Sequence, residues 1–433
     1  MKKVAVIVAM SLIAAVLMMG SAQAVTIRMI MWTYGVETVQ DNIAKFEKLN
    51  PGIKVEAEDI SWYVYPETLT TRFVTGTAPE VIYCNDQWLQ AWADAGWLRS
   101  LTEHLPGLEK YRDDMKPYVL DGLSYKGKIY GLPYYADTYV LFANGKFLED
   151  AGLSGTPETW EDVNEMCQKL KAAGIQKYPL IMEFHKDEHS MVEIFYAMTY
   201  SNEPGSLFDE KLNPIFDHEG SAAHQALDWL NKALNESKIM DPASLVHKEI
   251  DVIKSMQAGK GTFTLMEKYT LAELQHPGSS PYAGKFKLML MPGKSHYTVG
   301  GGKFYALTEQ AVKTGDEAVN AAGKLIEYFG GKSDGEYVVA KRWTLEKGLG
   351  FGYKSLYEEP AIIASLEKWS DVRVEKEQEG KYSMAKEGMT PWFMEWAESL
   401  RSEMHYMLGK KVTPLEMVKT LAGGWSKLKK EAE

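Results

Sequence analysis

Five consecutive residues have the spacing of a metal site. His185-Lys186-Asp187-Glu188-His189 fits H-x-x-E-H, the inverted zinc-peptidase pattern, in which two imidazoles at helical spacing hold the ion with a carboxylate between them. That chemistry needs a helix beneath the motif and a third ligand downstream. Here the strand-like Tyr178 to Met182 precedes it and the helix-like Met191 to Tyr200 follows, so both histidines would have to lie on that helix's first turn. A five-residue match also arises by chance, and a polar loop is the plainer reading. Two glycine-rich stretches fail as nucleotide sites. Gly300-Gly301-Gly302-Lys303 lacks phosphate-loop spacing and reads as a backbone crossing with a solvated lysine, and Gly348-Leu349-Gly350-Phe351-Gly352 misses G-x-G-x-x-G and reads as a flexible loop. With no G-x-S-x-G elbow and no carboxylate pair of defined geometry, no catalysis, cofactor or metal is expected. What remains is binding chemistry. The chain has 12 Trp and 24 Tyr, more flat amphipathic rings than a core of this size needs, and dispersed acids able to accept hydrogen bonds from hydroxyls or an ammonium.

Those side chains must be placed by an alternation of strands and helices. Val25 to Trp32 reads as a strand, Val36 to Leu49 as a helix stopped by Asn50-Pro51-Gly52, and Ile53 to Glu58 alternates like a half-buried strand. Tyr65 to Thr75 is helix-like, Glu80 to Tyr83 a short strand, and Asp86 to Ala95 a helix ended by Gly96. From Thr156, a Thr-Pro-Glu-Thr-Trp-Glu-Asp run opens a helix through about Ala173. Such βαβ units make an α/β lobe, and ligands of open α/β sheets sit beyond the carboxyl ends of strands. That rule selects Trp32 and Tyr34 after the first strand and Asn85, Asp86 and Gln87 after the third, with Trp62 in a similar loop. Asp86 serves equally well as a helix N-cap.

Residues 1–24 combine two lysines, an uncharged apolar stretch and Ala22-Gln23-Ala24, the form of a bacterial secretory signal peptide. Its apolar stretch is shorter than the ~20 residues that span a bilayer, and no cysteine stands at the cleavage site to carry a lipid. A periplasmic protein without a lipid anchor is the expected product. Its net charge moves from −11 to −13 on loss of Lys2 and Lys3, which argues against nucleic acid or an anionic membrane surface as partner. Cys84 and Cys167, one at a strand end and one inside a helix, are expected as free thiols.

Further runs carry a family resemblance over nearly the whole mature chain. Asn50-Pro51-Gly52-Ile53-Lys54-Val55, Gly76-Thr77-Ala78-Pro79-Glu80-Val81-Ile82, Ala95-Gly96-Trp97-Leu98 and Gly127-Lys128-Ile129-Tyr130-Gly131-Leu132-Pro133-Tyr134-Tyr135 come in order, followed by Glu149-Asp150-Ala151-Gly152-Leu153, Met256-Gln257-Ala258-Gly259-Lys260-Gly261 and Leu290-Met291-Pro292-Gly293. In their sequence and spacing they resemble the extracellular solute-binding proteins, family 1, of carbohydrate ABC importers, with the maltose-binding protein a distant relative. The resemblance implies an α/β, two-lobed periplasmic binding protein fold (type II) with a hinge and an interlobe ligand cleft. One lobe would comprise residues 25–135 with 298–343, the other 136–297 with 344–433. It implies further site residues: Tyr134, Tyr135 and Asp137 after the crossing, then Glu183 and His185, Glu267 and Tyr269, and Trp392 and Phe393 in the second lobe. The implied function is capture of a sugar, oligosaccharide or polyol by a monomer that closes on it and delivers it to the importer's membrane subunits. Two other readings stay open: a binding protein for a non-sugar solute such as an amine, and a secreted zinc peptidase.

Overall fold

The computed structural model describes residues 24–433, so the signal-peptide reading, save Ala24, lies outside the described residues. Seven strands position the site: β1 (Val25–Trp32), β2 (Ile53–Ile60), β3 (Val81–Asn85), β4 (Gly131–Asn144), β5 (Phe263–Glu267), β6 (Phe286–Met289) and β7 (Thr298–Thr308). They run in the order β2-β1-β3-β7-β4-β5, with β6 also paired to β4. The first three are parallel, and β7 and β4 join antiparallel. β2 lies at the edge with Lys54, Glu56 and Glu58 turned outward, charges that discourage pairing with another chain.

Helices α1 (Val36–Leu49), α2 (Tyr65–Thr75) and α3 (Asp86–Asp94) follow β1, β2 and β3. Farther on stand α4 (Trp160–Ala172), α5 (Met191–Asn202), α6 (Glu249–Gln257), α7 (Val372–Lys381) and α8 (Phe393–Leu408). The reciprocal capping box between Thr159 and Asp162 starts α4 where the sequence expects it. α5 is apolar almost all round, and only Asn202 escapes burial, as befits a helix enclosed on every side. Tyr178 to Met182 forms no regular strand. Pro179 lacks an N–H for a ladder, and the run touches its neighbours through single bridges at Leu180, to Met240 and Phe263.

Two large hydrophobic cores organise the molecule. One gathers β1–β3, the start of β4 through Ala136 and the part of β7 from Phe304; the other takes over at Tyr139 of β4 and Val299 of β7 and includes α4, α5 and α8. Leu349 through Val372 contribute to the first core, although the sequence division places everything after 343 in the second lobe. The cores meet along β4 and β7, whose residues are buried throughout. At the junction Lys303 faces Tyr135 while Phe304 faces Pro133, leaving Tyr134 as a bulge. A bulge is where a proline is tolerated inside a sheet, and it re-aims the flanking side chains. Both cysteines are buried and free.

Candidate functional site

A cavity of about 190 Å³ lies where the two cores meet. Its first wall comes from the carboxyl ends of the parallel strands: Trp32, Thr33 and Tyr34 after β1, Trp62 and Tyr63 after β2, Asn85 and Gln87 at the β3–α3 junction. Gly35, at φ +57, makes the tight entry into α1, and an added Cβ would lie 2.6 Å from the Trp343 ring. Trp32 meets Trp62 edge-on at 5.4 Å, and Trp62 in turn packs on Trp88 at 5.2 Å, so the wall is a braced layer of rings. The floor is the crossing itself, with Tyr135 and Tyr139 from β4, Lys303 from β7, Glu267 at the end of β5, then Tyr269 and Leu349. The far wall comes from the starts of two helices: Glu188, His189, Ser190 and Glu193 around the N-terminus of α5, and Glu249 at the first position of α6. Acids at helix N-termini are favoured by the dipole.

Contacts span the cavity from one wall to the other. Gln87 Nε2 donates to Glu193, the Tyr63 hydroxyl donates to Glu188 at 3.4 Å, and Trp62 meets the His189 imidazole edge-on at 5.8 Å. On the floor, Lys303 pairs with Glu267, whose other oxygen accepts from the Tyr135 hydroxyl at 3.5 Å. Burial, against a hydrogen bond from the Tyr269 hydroxyl and with Glu188 and Glu267 adding repulsion, pushes the Glu249 carboxyl up to about 7. Burial also raises Glu188 and Glu193. His189 goes the other way, down to about 4, because burial and then Arg401 disfavour its charged form. It is neutral at neutral pH. Two polar atoms at the cavity have no hydrogen-bond partner among the described residues: Tyr34 OH and Glu193 Oε2.

Eight of the residues expected from sequence line this cavity: Trp32, Tyr34, Trp62, Asn85, Gln87, Tyr135, Glu267 and Tyr269. Seven lie off it. Asp86 is sealed in an ion pair with Lys386 at 3.0 Å and accepts from the Gly302 N–H; the helix N-cap is Asn85, whose side chain accepts from Gln87 N. Tyr134, the bulged residue, turns into the first core against Trp32 and Tyr83. Asp137 accepts the Tyr269 N–H at 2.9 Å and lies 3.5 Å from Lys268, so it holds a lining residue without reaching the cavity. Glu183 is buried behind the far wall. His185 caps its own loop, its Nδ1 accepting from Asp187 N. Trp392 packs on Trp425 and Phe393 on Trp396, both within the second core.

Sequence reasoning missed the acids of the far wall. Glu188 and His189 stood inside the metal-like motif, and the structure separates that motif: His185 and His189 precede α5 instead of sharing a helical face, and only His189 reaches the cavity. Among the described residues no cluster of three or more His, Cys, Asp or Glu is disposed to hold a metal. Lys303 is buried and paired, where the sequence reads a solvated lysine. Gly350 is packed tightly, where the sequence reads a flexible loop: its added Cβ would lie 2.2 Å from the Ala136 carbonyl.

Two α/β lobes joined by crossing strands around a ligand-sized cleft define the periplasmic binding protein fold, and maltose-bound MalE3 of T. maritima superposes with a TM-score of 0.81 at 20% identity, over 94% of this chain and 100% of that one. The chain belongs to the bacterial extracellular solute-binding proteins, whose family model matches residues 32–266. A protein of Brucella abortus is 29% identical over 185 residues, 41% of this chain and 44% of that protein. The mannitol-binding protein of Pseudomonas aeruginosa is 28% identical over 188 residues, 42% of each. The matched stretch thus spans less than half the length of these relatives. No helix among the described residues is long and apolar enough to cross a membrane.

Proposed function

We propose that this protein is the periplasmic solute-binding component of an ABC importer, that it captures a single sugar or an open-chain polyol between its lobes, and that lobe closure presents the solute to the importer's membrane subunits. The observation that carries this reading is the pairing of aromatic rings with hydrogen-bonding side chains around one cavity. Sugar C–H faces pack on rings such as Trp32, Trp62 and Tyr135, while Asn85, Gln87 and Glu267 are planar groups suited to hydroxyls. The unpartnered Tyr34 OH and Glu193 Oε2 stand on opposite walls, and a solute with hydroxyls in several directions satisfies both. A cavity of about 190 Å³ favours a solute of one-ring size over an oligosaccharide. The relatives' names agree with the sugar or polyol class, though not with a single size, one binding mannitol and one structure holding the two-ring sugar maltose. We place residues 1–24 as a signal peptide and the mature protein as a monomer. A thermal-shift screen across sugars and polyols, followed by calorimetry, tests the reading. Stabilisation by one group of related sugars or polyols is expected. Stabilisation only by solutes that carry no hydroxyls would overturn it.

A further inference from the structure

The cavity is lined by more carboxyl groups than the cations around it can pair. Of its four glutamates, Glu267 pairs with Lys303, and Glu193 lies 3.4 Å from Lys386, which is closer to Asp86 at 3.0 Å. Glu188 and Glu249 pair with no lysine or arginine among the described residues: Glu188 accepts from Tyr63 OH and from the Glu249 N–H, and Glu249 accepts from Tyr269 OH. Glu183, 1% exposed, stands just behind, beside the Ser190 hydroxyl, and burial pushes its carboxyl well up. Six carboxyl groups, counting Asp86, thus stand with two ammonium groups. The other cations nearby do not close the gap. Lys248 lies over the Tyr63 ring at 3.9 Å, Arg401 is engaged with Glu398 and His189, and the His189 ring is neutral at neutral pH.

A second observation points to what should fill this gap. Glu193 is 8% exposed and lines the cavity, yet its Oε2 has no partner. Buried carboxylates cost several kcal/mol unless they are paired or protonated. A neutral polyol donates hydrogen bonds but brings no charge. Beside these acids stand the rings of Trp62 and Tyr269, whose π faces also attract a cation.

We infer that the solute is a sugar or polyol bearing an amine, with its ammonium received by Glu188, Glu249 and the free oxygen of Glu193, and its hydroxyls by Asn85, Gln87 and Glu267. This rests on the sugar or polyol reading and names the charge within it. The test is calorimetry at pH 7.5 with matched pairs: D-glucitol and 1-amino-1-deoxy-D-glucitol, D-mannitol and 1-amino-1-deoxy-D-mannitol, D-glucose and D-glucosamine, D-galactose and D-galactosamine, plus putrescine as an amine without hydroxyls. In at least one pair the amine should bind tenfold or more tighter than its neutral partner. Glu249→Gln should cut that ratio at least fivefold, and Glu188→Gln provides the same readout if the first variant folds poorly. Equal or tighter binding of the neutral members would overturn the charge inference and leave the sugar or polyol reading standing. Binding of putrescine alone, or of no pair member, would overturn both.

Discussion

Glu249 shows how one buried carboxyl can be read in two states. Its pKa rises from 4.5 to about 7, chiefly through burial, so the native protein holds a proton there over a range in which the unfolded chain does not. Stability from this group is therefore present at low pH and lost as pH rises from about 4.5 through 7. Glu249→Gln fixes the uncharged form while keeping an acceptor for the Tyr269 hydroxyl. In unliganded protein the variant should gain stability relative to the parent as pH rises from 5 to 8, by on the order of 1 kcal/mol, as read from urea melts at both pH values. An advantage that does not grow with pH would show that Glu249 ionises without cost. The same residue explains the limit of sequence reading at this scale. Rings and amides at strand ends were legible because chain position alone places them: Trp32, Trp62, Asn85 and Gln87 follow from the rule for open sheets. Asp86, Asp137 and Glu183 have the same chemistry as the lining acids. What separates them is a partner or a wall, Lys386, the Tyr269 N–H or burial behind the far wall, each brought from a distant part of the chain.

At the scale of elements, the helices of the first lobe could be bounded closely from caps and breakers, since Val36–Leu49 and Tyr65–Thr75 are where their patterns lie. The crossing was legible only as a glycine-rich return. Its bulge at Tyr134 depends on how β7 aligns with β4, a non-local pairing that no local pattern encodes. The loop from Gly348 to Gly352 reads as flexible by composition, yet packing makes it a wedge against β4. An alanine at 350 would set its Cβ 2.2 Å from the Ala136 carbonyl oxygen and 2.9 Å from Asp137 Oδ1, and both belong to a strand buried on every side. Neither can retreat cheaply. Gly350→Ala should therefore destabilise the protein by about 1–3 kcal/mol, the range for overpacking a filled interior. Because Asp137 also holds the Tyr269 N–H, ligand affinity should fall as well. Thermal melts and calorimetry on the variant check both outcomes, and an unchanged melting temperature would mean that the wedge yields.

The whole molecule joins these parts through contacts that run between the lobes: Gln87 with Glu193, Tyr63 with Glu188, Asp86 with Lys386, and Trp62 with His189. Each takes one partner from the β1–β3 side and one from the segments around α5 or after α7. Several are charged and buried, so in the closure proposed above, forming them without ligand carries a desolvation cost that opposes it. A solute that bridges the walls tips the balance, because only a ligand with different affinity for the open and closed forms can shift the population between them. Two signals should then appear together. Trp32 and Trp62 line the cavity, so a bound solute should change tryptophan emission, and small-angle scattering should give a smaller radius of gyration with ligand, toward ~22 Å for a compact chain of this length. Emission alone is insufficient, since a ligand held by the ring wall could perturb Trp62 without drawing in the helix starts opposite. Trp62→Ala should weaken binding about fivefold, the loss of one ring contact of about 1 kcal/mol. Gln87→Ala removes a bridge without touching the rings, so its saturated complex should keep the emission change yet remain less compact. Tight binding with no change of radius in the parent protein would refute closure as the means by which this protein signals that it is occupied.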